Sequence, residues 1–179
     1  MKKSQNKLFY LSITFSTLFY LFLVKNFDYY NDDFTMLSYG NNIQEAFLQT
    51  DNWWRPLKGL FYSFFIKYFN ADPYIIVSTK ILIHTALTII IYKFLNYKLD
   101  RSKSLILSLI FFYSQSGISA VIAIDTFGQL IVVFFGIISF LYVEKYRNSK
   151  NKNYLYLSHI FLIFSLLGKE IGVTFLCIN

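Results

Sequence analysis

Apolar residues arrive in long blocks along this chain, separated by short polar stretches rich in lysine and arginine. A membrane-spanning helix needs roughly 20 mostly apolar residues, and five blocks approach that length. The first covers residues 8–24 and carries no charge, behind Lys2, Lys3 and Lys7. Its basic start is like that of a signal peptide, but Val24-Lys25-Asn26-Phe27 offers no small-residue cleavage site. The block therefore reads as an uncleaved first helix. The second covers 74–92 and is interrupted by Lys80 and His84. Lys80 reads as a lysine that snorkels outward, and His84 as a packing histidine near the midplane. The third, 104–124, and the fourth, 126–143, are uncharged. The fifth, 154–176, meets Lys169-Glu170 after 15 uncharged residues. This pattern predicts an all-α, polytopic transmembrane helix bundle that forms one membrane domain over 1–179.

The polar stretches orient the bundle. Lysines and arginines accumulate in cytoplasmic loops. They cluster at the N-terminus, at Lys93, Lys98, Arg101 and Lys103, and at Lys145, Arg147, Lys150 and Lys152. With five spans these three regions fall on one side, which places the N-terminus in the cytoplasm of a multi-pass cell-membrane protein. The long loop 25–73 and the turn near Asp125 fall on the outer side. That loop lacks the Gly, Ser and Pro bias of a linker. Residues 35–49 carry a rough apolar stripe. Pro56 is well placed to open a helix with Leu57, Leu60, Phe61, Phe64, Phe65 and Tyr68 on one side. Both segments read as amphipathic helices at the outer interface, and Ala71-Asp72-Pro73 as a turn into the second span.

Composition supports the membrane reading. The chain is 55% hydrophobic, with 21 Phe and 15 Tyr, and only 15% charged. Soluble domains carry about 25% charged residues. The net charge of +7 would point to nucleic acid in a soluble domain. Here it follows from the basic loops, and no nucleic-acid motif is present. The single cysteine, Cys177, gives disulfides no part in the fold.

Several polar residues converge on the outer side in this topology. Asp32 and Asp33 follow the first span, Arg55 lies in the outer loop, and Asp125 lies between spans three and four. Gln115 precedes that turn, and Lys169-Glu170 sit at the outer end of span five. Ionisable groups at membrane depth are costly and commonly functional. A carboxylate here could act as general base on an acceptor hydroxyl, and Arg55 or Lys169 could hold a phosphate by charge-assisted bonds. Alternatively, Asp32 and Asp33 could hold a divalent cation through their oxygens. Each residue also has a plainer reading. The Asp pair can be a solvated loop, Arg55 a partner of Asp51, and Asp125 a helix cap. Lys169 and Glu170 can simply neutralise each other, Trp53 and Trp54 can be interface anchors, and His159 can be surface.

In order along the chain, these elements resemble the C-type glycosyltransferase superfamily, polytopic enzymes that use lipid-phosphate sugar donors. The resemblance is closest to protein O-mannosyltransferase-like members. It rests on Asp32-Asp33 after the first helix, Trp54-Arg55-Pro56-Leu57, Ile81-Leu82-Ile83-His84, and Leu166-Leu167-Gly168-Lys169-Glu170-Ile171-Gly172. The family's His-Pro, Glu and Gly-Arg-x-Asp features between spans three and four are missing from 114–129, which widens the reading from mannosyl transfer to glycosyl transfer. The resemblance implies that an acid of the Asp pair is the catalytic base or a metal ligand. Arg55 and Lys169 would bind donor phosphate, and Glu170 would orient Lys169. Family members carry further helices, so the chain reads as the N-terminal portion of a larger enzyme.

The expected function is transfer of a sugar from a polyprenyl-phosphate carrier to a glycan, lipid or protein acceptor on the outer face. It would be a hexosyltransferase-type reaction with inversion. Two rival readings stand beside it. A non-catalytic transporter or flippase component for lipid-linked glycans would place polar residues along a continuous path, for which Lys80 and His84 are the support. An inactive fragment would fit the end at Cys177-Ile178-Asn179, just past an apolar stretch.

Overall fold

The computed structural model describes residues 2–28, 55–123 and 126–176. These form helices and turns, with no strand among the described residues. Helix α1 is Lys2–Leu23, followed by the 3-10 turn Val24–Asn26. Then come α2, Pro56–Phe69; α3, Pro73–Leu95; α4, Arg101–Tyr113; and α5, Gln115–Ile122. α6 is Phe127–Ser149 and α7 is Lys152–Gly168. A second 3-10 turn, Glu170–Gly172, leads into the short α8, Val173–Leu176.

Among the described residues, three helices are long and apolar enough to cross a membrane: Asn6–Asn26, Pro73–Leu95 and Phe127–Ser149. They correspond to the first, second and fourth apolar blocks. The third and fifth blocks do not form single long helices. Within the third, Ser114 is extended at ψ 144. Its hydroxyl donates to the Phe111 carbonyl at 2.9 Å and accepts from the Gly117 amide at 3.1 Å. A serine that serves both flanking turns gives the backbone an alternative to continuing the helix. The fifth block stops at Gly168. Lys169 is extended, with φ −168 and ψ 153. The chain then turns back along α6, where Phe175 packs against Gly136 and lies 5.4 Å from the Phe140 ring.

Helix α3 is the hub, packing against α1, α4, α5 and α6. It begins at a tight turn in which Asn70 and Ala71 take positive φ, 50° and 53°. The Asp72 side chain caps it by accepting from the Ile75 amide at 3.2 Å. The turn expected at Ala71-Asp72-Pro73 is present. Pro56 opens α2 as expected. Lys58, Gly59, Tyr62, Ser63 and Phe65 are buried, whereas Phe64 and Tyr68 are exposed. The helix is apolar almost all round, so its periodicity left the inner face undetermined. Residues 35–49, the other expected interfacial helix, lie outside the described residues.

Helices α6 and α7 form a close hairpin. Small residues line the contact, as backbones must approach closely where hydrophobic packing alone discriminates little. The hydroxyls of Ser139 and Ser158 lie 3.0 Å apart, and Ser165 donates to the Val132 carbonyl at 2.9 Å. A Cβ on Gly128 would lie 2.8 Å from the Gly168 carbonyl oxygen.

The outward surface is apolar along α1 (Leu11, Phe15, Leu18, Phe22), α4 (Ile106, Ile110) and α7 (Ile160, Ile163). Contiguous apolar faces of this kind suit contact with lipid. The polar stretches gather at one end. Tyr92 donates to the Asn6 side-chain oxygen at 2.6 Å, and Arg101 donates to the same oxygen at 2.7 Å. Lys98 pairs with Glu144 at 2.7 Å. Asp100 caps α4 by accepting from the Lys103 amide at 3.1 Å. That bond, with the Lys103 ammonium, holds the Asp100 carboxyl below its usual range.

The α6–α7 contact generates the first prediction. Gly128→Ala should lower stability in micelles by about 1–3 kcal/mol, because the new methyl meets backbone. Unfolding by SDS titration measures it. An unchanged midpoint would mean that α6 does not meet α7 at this point.

Candidate functional site

Among the described residues, four chain segments build the end opposite the basic loops. They are the first turn of α2, the first third of α3, the junction of α5 with α6, and the end of α7. A core of Tyr62, Phe65, Ile76, Val77, Ile81, Val121, Phe127 and Ile131 holds them together. Phe61 stacks on Phe127 with ring centroids 3.3 Å apart. α2 packs across both α6 and α7.

Cationic side chains collect on this frame. Arg55 precedes α2 and is half-buried, and its carbonyl accepts from the Gly59 amide at 3.2 Å. Lys58, one turn on, is 5% exposed. Its stem lies against Gly128, with Cδ 3.7 Å from where a Cβ would stand. Lys169 is half-buried just past Gly168, and Gly168 faces Ile131 and Val132 near the start of α6. Lys80 comes from α3 and is fully buried. It donates to the Ala123 carbonyl and, at 3.2 Å, to Thr126 Oγ1. It therefore does not snorkel outward, contrary to expectation. The Ala123 carbonyl where α5 ends offers the ammonium a nearer partner than water.

The candidate residues fall into three groups. Arg55 and Lys169 are brought to the same end. Asp32, Asp33 and Asp125 lie outside the described residues. Glu170 opens the turn Glu170–Gly172, and its side chain lies outside the described residues. Gln115 is exposed at the first position of α5 and does not join the cationic group. It sits beside the helix break near His84. Two participants were not anticipated. Lys58 reads in sequence as one more loop lysine, and only its spacing of one turn from Arg55 could have flagged it. Thr126 was overshadowed by its neighbour Asp125.

His84 lies one helical turn deeper than Lys80, roughly 6 Å. It is buried, and its Nε2–H donates to the Phe112 carbonyl at 3.2 Å. Gly117 makes room for it, since a Cβ there would lie 2.9 Å from His84 Cε1. This is the packing role expected of it. His159 is exposed, with its ring nitrogen 2.7 Å from the Leu155 carbonyl of its own helix. Beside His84 is a cavity of about 160 Å³, walled by Tyr20, Val24, Ile81, Phe112, Val121 and their neighbours. It is almost wholly apolar. Among the described residues, no group of three or more His, Cys, Asp or Glu is placed to hold a metal ion.

No protein-family model, curated protein or solved structure matches this chain.

The two backbone anchors on α3 make separable predictions. His84→Phe keeps an aromatic ring but strips the Phe112 carbonyl of its donor, which should cost about 1–3 kcal/mol or more in the same unfolding assay. Lys80→Met also removes the burden of a buried ammonium, so its global effect is a difference of opposing costs. Its readout is local. Amide hydrogen exchange at the start of α6 should quicken, while exchange around Ser114 stays as in the parent. Exchange unchanged at both places would sink the anchoring role.

Proposed function

We propose that this chain carries the sugar-transfer site of a membrane glycosyltransferase, one that uses a polyprenyl-phosphate-linked donor on the outer face of the membrane. The observation that carries this reading is the gathering of Arg55, Lys58, Lys80 and Lys169 at the end opposite the basic loops. Lys58 and Lys80 are both buried there. By the positive-inside rule the basic end is cytoplasmic, so the cationic group faces the outer leaflet. A lipid-linked sugar presents its phosphate at that depth.

In this reading Arg55 and Lys169 bind the donor phosphate, and Glu170 orients Lys169. Lys80 fixes the Ala123–Thr126 turn that forms one wall, and Lys58 supports the other from α2. Asp32 or Asp33 removes the proton from the acceptor hydroxyl. The acceptor oxygen then bonds to the sugar's anomeric carbon as the bond from that carbon to phosphate oxygen breaks. Polyprenyl phosphate leaves with the electron pair. One displacement inverts the anomeric centre, and a phosphate leaving group needs little protonation. In a metal-assisted variant Asp32 and Asp33 would hold a divalent cation through their oxygens, and that ion would supply charge stabilisation to the leaving phosphate. The apolar cavity beside His84 suits the first units of the carrier's hydrocarbon chain.

A transporter for lipid-linked glycans is less well supported. His84 and Lys80 would be the stepping stones of its polar path, yet both donate to backbone carbonyls inside the bundle. The cavity they flank is apolar.

The test is transfer from a labelled polyprenyl-phosphate sugar by the complete protein in native membranes. Arg55→Ala and Lys169→Ala should each lower turnover by about 10²-fold, as expected for losing one preorganised donor to developing charge. Full activity in both Asp32→Asn and Asp33→Asn would remove the proposed base. Cysteine labelling that put residues 25–73 on the cytoplasmic side would remove the mechanism altogether.

A further inference from the structure

The basic end holds a second concavity. A groove of about 560 Å³ runs between α3 and α6, with Phe161 of α7 on one side. Its mouth carries Lys93 and Lys145, both exposed. Its deeper wall is Ile90, Ile138, Leu141 and Phe161. From Lys145 back to Ile138 is seven helical residues, roughly 10 Å. The groove therefore descends from charged surface into apolar depth.

Acidic neighbours do not consume the lysines' charge. Glu144 adjoins Lys145 in sequence, but it is committed to Lys98 at 2.7 Å and Arg147 at 3.0 Å. Among the described residues no carboxylate pairs with Lys93 or Lys145. The Lys145 ammonium lies over the Tyr142 ring at 4.8 Å and the Tyr154 ring at 5.8 Å. Those rings hold it beside the mouth.

We infer that this groove binds one anionic phospholipid from the leaflet on the basic side. Its phosphate sits between Lys93 and Lys145, and one hydrocarbon chain lies against Ile90, Ile138, Leu141 and Phe161. The groove and the lipid share one layout, charged at the top and apolar below. A soluble anion would use the mouth alone, and an uncharged lipid the wall alone. Basic pockets between membrane helices on the cytoplasmic side take anionic headgroups by this same combination. The inference is independent of the transferase reading, because the groove lies at the other end of the bundle.

The experiment titrates fluorescent phosphatidylglycerol into the full chain in neutral micelles. Each lysine near the surface contributes about fivefold to binding, so the Lys93→Gln/Lys145→Gln double variant should bind about 25-fold more weakly. Lys93→Arg/Lys145→Arg should bind like the parent. So should Lys7→Gln/Lys152→Gln, which removes the same charge elsewhere on the basic end. Three results would overturn the site. They are equal displacement by phosphatidylcholine, displacement by soluble glycerophosphate, or equal weakening in the Lys7/Lys152 variant. The first would leave only an apolar groove, the second a soluble-anion site, and the third a diffuse attraction to the whole end.

Discussion

Backbone amides and carbonyls cannot be left unpaired in an apolar medium. Of the places where the described helices are interrupted, two lie against α3: the break at Ser114 and the junction of α5 with α6. Each exposes carbonyls that a continuous helix would satisfy. Both are met from the same helix. His84 donates to Phe112 at the first, and Lys80 donates to Ala123 at the second. The two residues lie four apart on α3, so they share a face and rise one turn. α3 thus serves as the partner that lets its neighbours stop being helical. The arrangement of α4, α5 and the start of α6 depends on it.

This constraint accounts for what hydropathy could and could not reveal. Blocks one, two and four are helices because length and apolarity suffice to specify them. Block three looked equally good, since 104–124 carries no charge. Its break is written in Ser114 and Gly117, whose effects are local and steric and do not register in an averaged scale. Block five ends its helix at Gly168, which sits against Ile131, a contact 37 positions away. α2 was legible as a helix from Pro56 but not in its orientation, because Phe61, Phe64, Phe65 and Tyr68 are similar in apolarity. At the candidate site, Arg55 and Lys169 were legible as unusual charges in apolar surroundings. Lys58 became recognisable only once α2 was seen to lie against Gly128.

The two ends of the bundle handle charge differently. At the basic end Glu144 and Asp100 engage exposed lysines and Arg147, Asn6 engages the half-buried Arg101, and water screens what remains. At the other end cations are drawn into the structure. Taking an ammonium out of water costs several kcal/mol unless good partners replace the lost hydration. For Lys80 the partners include the Ala123 carbonyl and Thr126 Oγ1.

Holding Lys80 also has a consequence for geometry. The Ala123 carbonyl accepts from Lys80, from the Thr126 hydroxyl and from the Thr126 amide. One oxygen thus ties α3 to the end of α5 and the start of α6. Gly128 lies two residues on and contacts both Gly168 and the Lys58 stem. A displacement of the Ala123–Thr126 turn would pass directly to the surfaces that carry Lys58 and Lys169. Packed contacts of this kind resist gradual deformation. The α5–α6 junction and the surfaces that carry Lys58 and Lys169 are therefore mechanically coupled through Gly128.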